Sequence, residues 1–133
     1  MSQTLQHQVV TRALDLISNE ANWTRGALAR DKQGRGCSWD GPEASRYCAV
    51  GALARAVAEL FGPSREVGSA AMRAACYVLK ANGLEGACLP NINDVHGHAV
   101  VVAIFKKALG HKTPGRSPLQ SAAISVGGAS FSR

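Results

Sequence analysis

Large aromatic rings are scarce in this chain: two Trp, two Tyr and three Phe, 5% of its 133 residues. A core organised around stacked rings is thereby excluded. The abundance of alanine points instead to helices that approach closely through small side chains. Charged residues are also few, at 18%, while hydrophobic ones reach 46%, so the bulk of the chain has enough apolar surface to fold rather than remain disordered. No window approaches the roughly 18 consecutive apolar residues of a membrane span. The N-terminus, Met1-Ser2-Gln3-Thr4, lacks the basic start and apolar stretch of a secretory signal. The expected location is therefore the cytoplasm, with no membrane association.

Cysteine is present but poorly arranged for metal. Cys37, Cys48, Cys76 and Cys88 include no C-x-x-C pair, and without an export signal their even number says little about disulfides. Reduced thiols are expected. His96 and His98 lie two apart on an expected helix, where they point to opposite faces and do not share an ion. Asn91-x-Asn93-x-Val95 is similar to the start of a calcium loop, but the fifth position is apolar and the twelfth is Val102, not Glu. No metal site and no cofactor are expected.

What the chain does have is helical periodicity. At 13.9 kDa it is long enough for one domain with a true core. Leu5, Val9, Ala13, Leu16 and Ile17 predict a helix over 5–18. Asp40-Gly41-Pro42-Glu43 predicts the start of a second, running to Leu60, where Gly62-Pro63 stops it. Ser64 is the expected N-cap of a third, which ends at Asn82-Gly83. Asn93 or Asp94 is the expected cap of a fourth over 95–109, closed by Gly110. The reading is an all-α, compact bundle of about four principal helices, with Gly51 and Ala52 allowing close helix approach. Between helices 1 and 2 lies a long loop or short hairpin, and Asp31-Lys32-Gln33-Gly34 reads as its turn. Residues 1–110 form the helical domain, and 111–133, rich in Ser, Gly and Pro, read as an extended tail with a short element over Leu119–Val126.

Three polar or aromatic islands interrupt the alanine-rich pattern: Trp23–Asp31, Tyr47–Leu53 and Asn91–Asp94. In the first, Trp23 most simply reads as a core-edge anchor, and Trp23, Arg25, Arg30, Lys32 and Arg35 in and after it are the candidate partner-binding residues. In the second, Cys48 has the type of a nucleophile. With His96 or His98 as base and Asn93 or Asp94 as orienting group, it supplies the inventory of a cysteine hydrolase. Its expected place two turns into a helix, among Ala49, Val50, Gly51 and Ala52, argues for a packed thiol instead.

Fifteen Lys and Arg against nine Asp and Glu give a net charge of +6 and a pI near 9.6. That balance suits nucleic acid or an acidic protein surface, although Arg12, Arg55, Arg73 and Lys80 are dispersed, as on an ordinary solvated surface. The segment 54–73 has the outline of a helix-turn-helix, with Arg65 and Arg73 on the side that would meet DNA.

The islands together resemble an uncharacterised family of small bacterial and phage domains with the pattern W-T-x-G-x-x-A-x-D, C-A-x-G-A-L and N-D. The matching residues are Trp23, Thr24, Gly26, Ala29, Asp31, Cys48, Ala49, Gly51, Ala52, Leu53, Asn93 and Asp94. The resemblance covers about 5–110. It departs where the family often has Trp before N-D and this chain has Ile92. It implies a shared fold and a phage or mobile-element origin, and no activity. The expected function is that of a small, basic, non-catalytic protein docking on a protein or nucleoprotein partner. DNA binding through 54–73 and hydrolysis by Cys48 are the alternatives.

Overall fold

The computed structural model describes residues 4–110; the tail expected over 111–133 lies outside them. Within this span the chain is mostly helical. It has five helices rather than four: α1 (Leu5–Ile17), α2 (Ala49–Phe61), α3 (Val67–Ala81), α4 (Leu89–His96) and α5 (His98–Ala108). The segment between α1 and α2 holds a 3-10 turn, Glu20–Asn22, and two short strands, β1 (Ala29–Arg30) and β2 (Arg46–Tyr47).

Helix α1 follows its periodicity. Thr4 caps it by accepting from the His7 N–H at 3.1 Å, and its stripe of Val9, Val10, Ala13, Leu14 and Ile17 is buried. Such a cap is typically worth about 1 kcal/mol. Helix α3 begins three residues after the expected Ser64, whose hydroxyl accepts from the Glu66 N–H just ahead of the helix. It ends where expected: Asn82 is the C-cap and Gly83 turns the chain with φ +69°.

Two boundaries differ from expectation for identifiable reasons. Helix α2 starts at Ala49, not Pro42, because Arg46 and Tyr47 pair antiparallel with Arg30 and Ala29. That pairing holds them extended, so tertiary hydrogen bonding overrides the local start signal. The final helix is divided by Gly97, whose φ of +87° is the left-handed backbone glycine adopts freely. Asn93 and Asp94 consequently lie inside α4, not at a cap.

The helices bury a core in which Phe105, Ile17, Leu53, Leu89, Ile104 and Val10 are the largest fully enclosed side chains. Helix α1 packs on α2, α3 and α5, while α4 bridges α2 and α5. Helix α5 runs antiparallel to α3, since the Asn82 amide donates to the Ile104 carbonyl and the Tyr77 hydroxyl to that of Ala108. Its first residue, His98, lies 2.6 Å from the carbonyl of Ile17, the last residue of α1. The start of α1, the end of α2 and the start of α3 share one end of the bundle, whereas α5 ends beside Tyr77 in the second half of α3.

Candidate functional site

The three islands, far apart in sequence, meet at a single side chain. Asn93 is fully buried and all of its amide's hydrogen-bonding capacity on the oxygen side is committed. Its Oδ1 accepts from the Trp23 indole Nε1–H at 2.7 Å and from the Ala49 backbone N–H at 2.9 Å. Its Nδ2 donates to the Thr24 carbonyl at 3.1 Å and to the Asp94 carboxylate at 3.0 Å. One amide thus joins the loop, the start of α2 and α4. A buried polar group so fully paired holds a specific arrangement, because breaking it strands its partners.

Asp94, exposed beside it, extends the junction. Its carboxylate accepts from the Gly26 N–H at 3.1 Å, and its carbonyl accepts from the Arg25 guanidinium at 2.9 Å. Arg25 then lies 5.1 Å from the centre of the Trp23 ring, within cation–π range. On another side His98 meets Trp23 at 5.7 Å between ring centres, and its Nε2 must carry a proton to donate to Ile17.

The outer part of the loop is held as firmly. Arg30 donates to the Thr24 hydroxyl and to the carbonyls of Gly34 and Arg25. Asp31 is buried and organises the turn: its carboxylate accepts from the N–H groups of Gln33 and Arg35 and from the Arg35 guanidinium. The Arg35 N–H chiefly, helped by that guanidinium and Gln33, holds the Asp31 carboxyl below its usual range against the opposing effect of burial. Leu28 presents its carbonyl to the Cys48 N–H at 3.1 Å. The same carbonyl lies against Gly51, where an added Cβ would overlap it. The close approach expected at Gly51 is therefore of loop on helix, not helix on helix.

The expected partner-binding residues divide into two groups. Trp23 and Arg30 are turned to internal work, joining the loop to the helices and to itself. Arg25, Lys32 and Arg35 are exposed, although Arg25 and Arg35 also make the bonds just described. Sequence reasoning did not single out Leu28, an apolar side chain left 47% exposed on this loop, since no local signal marks it apart from its neighbours. Arg65 and Arg73 are exposed at and beyond the α2–α3 turn, on the opposite end of α2 from Cys48.

Cys48 requires a correction. It is the N-cap of α2, not a residue two turns inside it, and its Sγ accepts from the Gly51 N–H at 3.3 Å. Burial nevertheless pushes the thiol above its usual pKa, outweighing the N–H groups of Gly51 and Val50 that favour the thiolate. The helix end that would activate an accessible cysteine is here overcome by desolvation. Gly97 separates His96 and His98 onto different helices, and the imidazole of His98 is engaged by Ile17 and Trp23. Among the described residues, no group of three His, Cys, Asp or Glu is placed to hold a metal ion, and no helix is long and apolar enough to cross a membrane.

Residues 1–111 match the family of unknown function DUF6197, and the chain belongs to that family. It matches no curated protein and no solved structure.

Proposed function

We propose that this DUF6197 domain is a non-catalytic binding module that presents the outer face of its 24–36 loop to a macromolecular partner. The observation that carries this reading is the locking of a long irregular segment by Asn93, Asp94, Arg30 and Asp31. Loops fixed in one conformation lose little entropy on binding. The exposed side chains of Arg25, Leu28, Lys32 and Arg35 give this loop an apolar contact and positive charge, suited to an acidic protein or nucleoprotein surface. The protonated, enclosed thiol of Cys48 and the engaged imidazole of His98 favour binding over hydrolysis.

The test is capture from host lysate on the full chain, compared with a Leu28→Ser/Lys32→Glu variant of unchanged melting temperature. A partner held by the parent and lost by the variant supports the reading. Equal retention by both, or no retained partner, refutes it.

A second reading is DNA binding by the α2–α3 pair. It is favoured by the exposure of Arg65 and Arg73, neither of which has an ion-pair partner among the described residues. It requires affinity that falls steeply with salt as counterions are released, and charge reversal at both arginines would abolish it. No gel shift at low salt removes it.

A further inference from the structure

A groove of about 270 Å³ opens at the end of the bundle where α1 and α3 begin and α2 finishes. Its walls are mainly apolar, with Leu5, Val57, Phe61 and Ala70 among them. Leu5 is 62% exposed and Phe61 50%, so both present apolar surface to water that association would remove. Scattered apolar residues are ordinary on a surface, but two on one groove mark a place to dock.

The charges on the same wall say what fits. Glu66, at the N-cap of α3, and Arg73 both line the groove. Both are exposed, and neither has an ion-pair partner among the described residues. They lie on one side of α3, about 10 Å apart along its axis, and do not pair with each other. A partner of a single charge sign, whether an acidic peptide or a phosphate backbone, would meet one of the two with like charge.

A second copy of this chain meets both with opposite charge. In a two-fold contact, residue i touches j and j touches i. Antiparallel α3 helices therefore set Glu66 of each protomer against Arg73 of its partner. The two-fold axis then passes between Ser69 and Ala70, midway along the pair. Both side chains are small, and at the neighbouring Gly68 an added Cβ would meet nothing. The helices can thus approach at the short end of the usual separation of about 8–10 Å. Leu5 and Phe61 of each copy, on the wall beside Ala70, are covered by the same approach.

We propose that this face of α3, with the groove beside it, is a two-fold interface between copies of the chain, joined by reciprocal Glu66–Arg73 pairs. It takes Arg73 from the DNA-binding reading. It is independent of the loop-face reading, since that loop is held to the start of α2 and the groove lies at its end.

The test is sedimentation of the full chain over a concentration series, with circular dichroism confirming the fold of each variant. A dimer that dissociates on dilution is expected. Arg73→Glu and Glu66→Arg each place like charges at both contacts and should weaken it about tenfold or more. The double variant Glu66→Arg/Arg73→Glu should regain the parent's affinity, and the two single variants should pair with each other when mixed. A chain that stays monomeric to about 1 mM would overturn the proposal and leave the groove to another partner. So would a dimer indifferent to both reversals, or one that neither the double variant nor the mixture restores.

Discussion

Replacing Asn93 with alanine tests the junction most directly. The substitution leaves three groups without their partner: the Trp23 indole N–H, the Ala49 N–H and the Thr24 carbonyl. Each buried polar group so stranded costs about 1–3 kcal/mol, and partial entry of water favours the lower half, giving about 3–6 kcal/mol in all. Against a total stability of about 5–15 kcal/mol for a domain, that is a large fraction. Equilibrium urea denaturation should show the midpoint falling by about 2 M at a typical slope of about 2 kcal/mol/M, with the slope itself unchanged. The Trp23 indole proton should also exchange with solvent much faster than in the parent. Asn93→Asp adds an internal control. It keeps an acceptor but sets a buried carboxylate beside Asp94 and against the Thr24 carbonyl. Its deficit should shrink as pH falls, because the protonated acid regains a donor. A loss below about 1 kcal/mol in Asn93→Ala would refute the assignment of the junction to this amide.

Gly51→Ala should destabilise by about 2 kcal/mol or more despite alanine's better helix propensity, because the new methyl meets the Leu28 backbone; a neutral or higher melting temperature would contradict that contact. Iodoacetamide at neutral pH should label the exposed Cys76 and Cys88 rapidly and Cys48 only on unfolding, and mass spectrometry showing Cys48 labelled at their rate would restore it as a candidate nucleophile. Glu59 is held below its ordinary 4.5, first by Arg12 at 2.6 Å and also by Arg55 at 2.9 Å. Its contribution is therefore present above that ordinary value and lost as pH falls through the depressed one. Glu59→Gln should cost about 0.5–1 kcal/mol at neutral pH, with the difference from the parent vanishing in acid; a difference that persists there would mean the cost is one of packing.

The parts of the fold that sequence reveals are those set by neighbours along the chain. The stripe from Leu5 to Ile17 and the stop at Asn82-Gly83 are local signals, and the structure follows both. The start of α2 was hidden because it depends on strand pairing between residues 46–47 and 29–30, which no local spacing encodes. Asn93 was hidden for a related reason. An Asn next to an Asp before an apolar run has the composition of a helix cap, and three of its four partners lie 44 to 70 residues away. The islands were visible as departures from the alanine pattern, but their convergence was not. Trp23 and Arg30 therefore read as binding residues when their polar groups face inward.

That separation along the chain bears on the order in which the molecule assembles. Contacts between α2 and α3, joined by a short turn, close early and cheaply relative to a bond that must draw residues 23, 49 and 93 to one point. The amide of Asn93 is thus the latch that holds the loop to α2 and α4. Hydrogen exchange should find the 24–36 loop opening at lower free energy than α1 or α2, so the same residue that fixes the loop also sets how often it comes free.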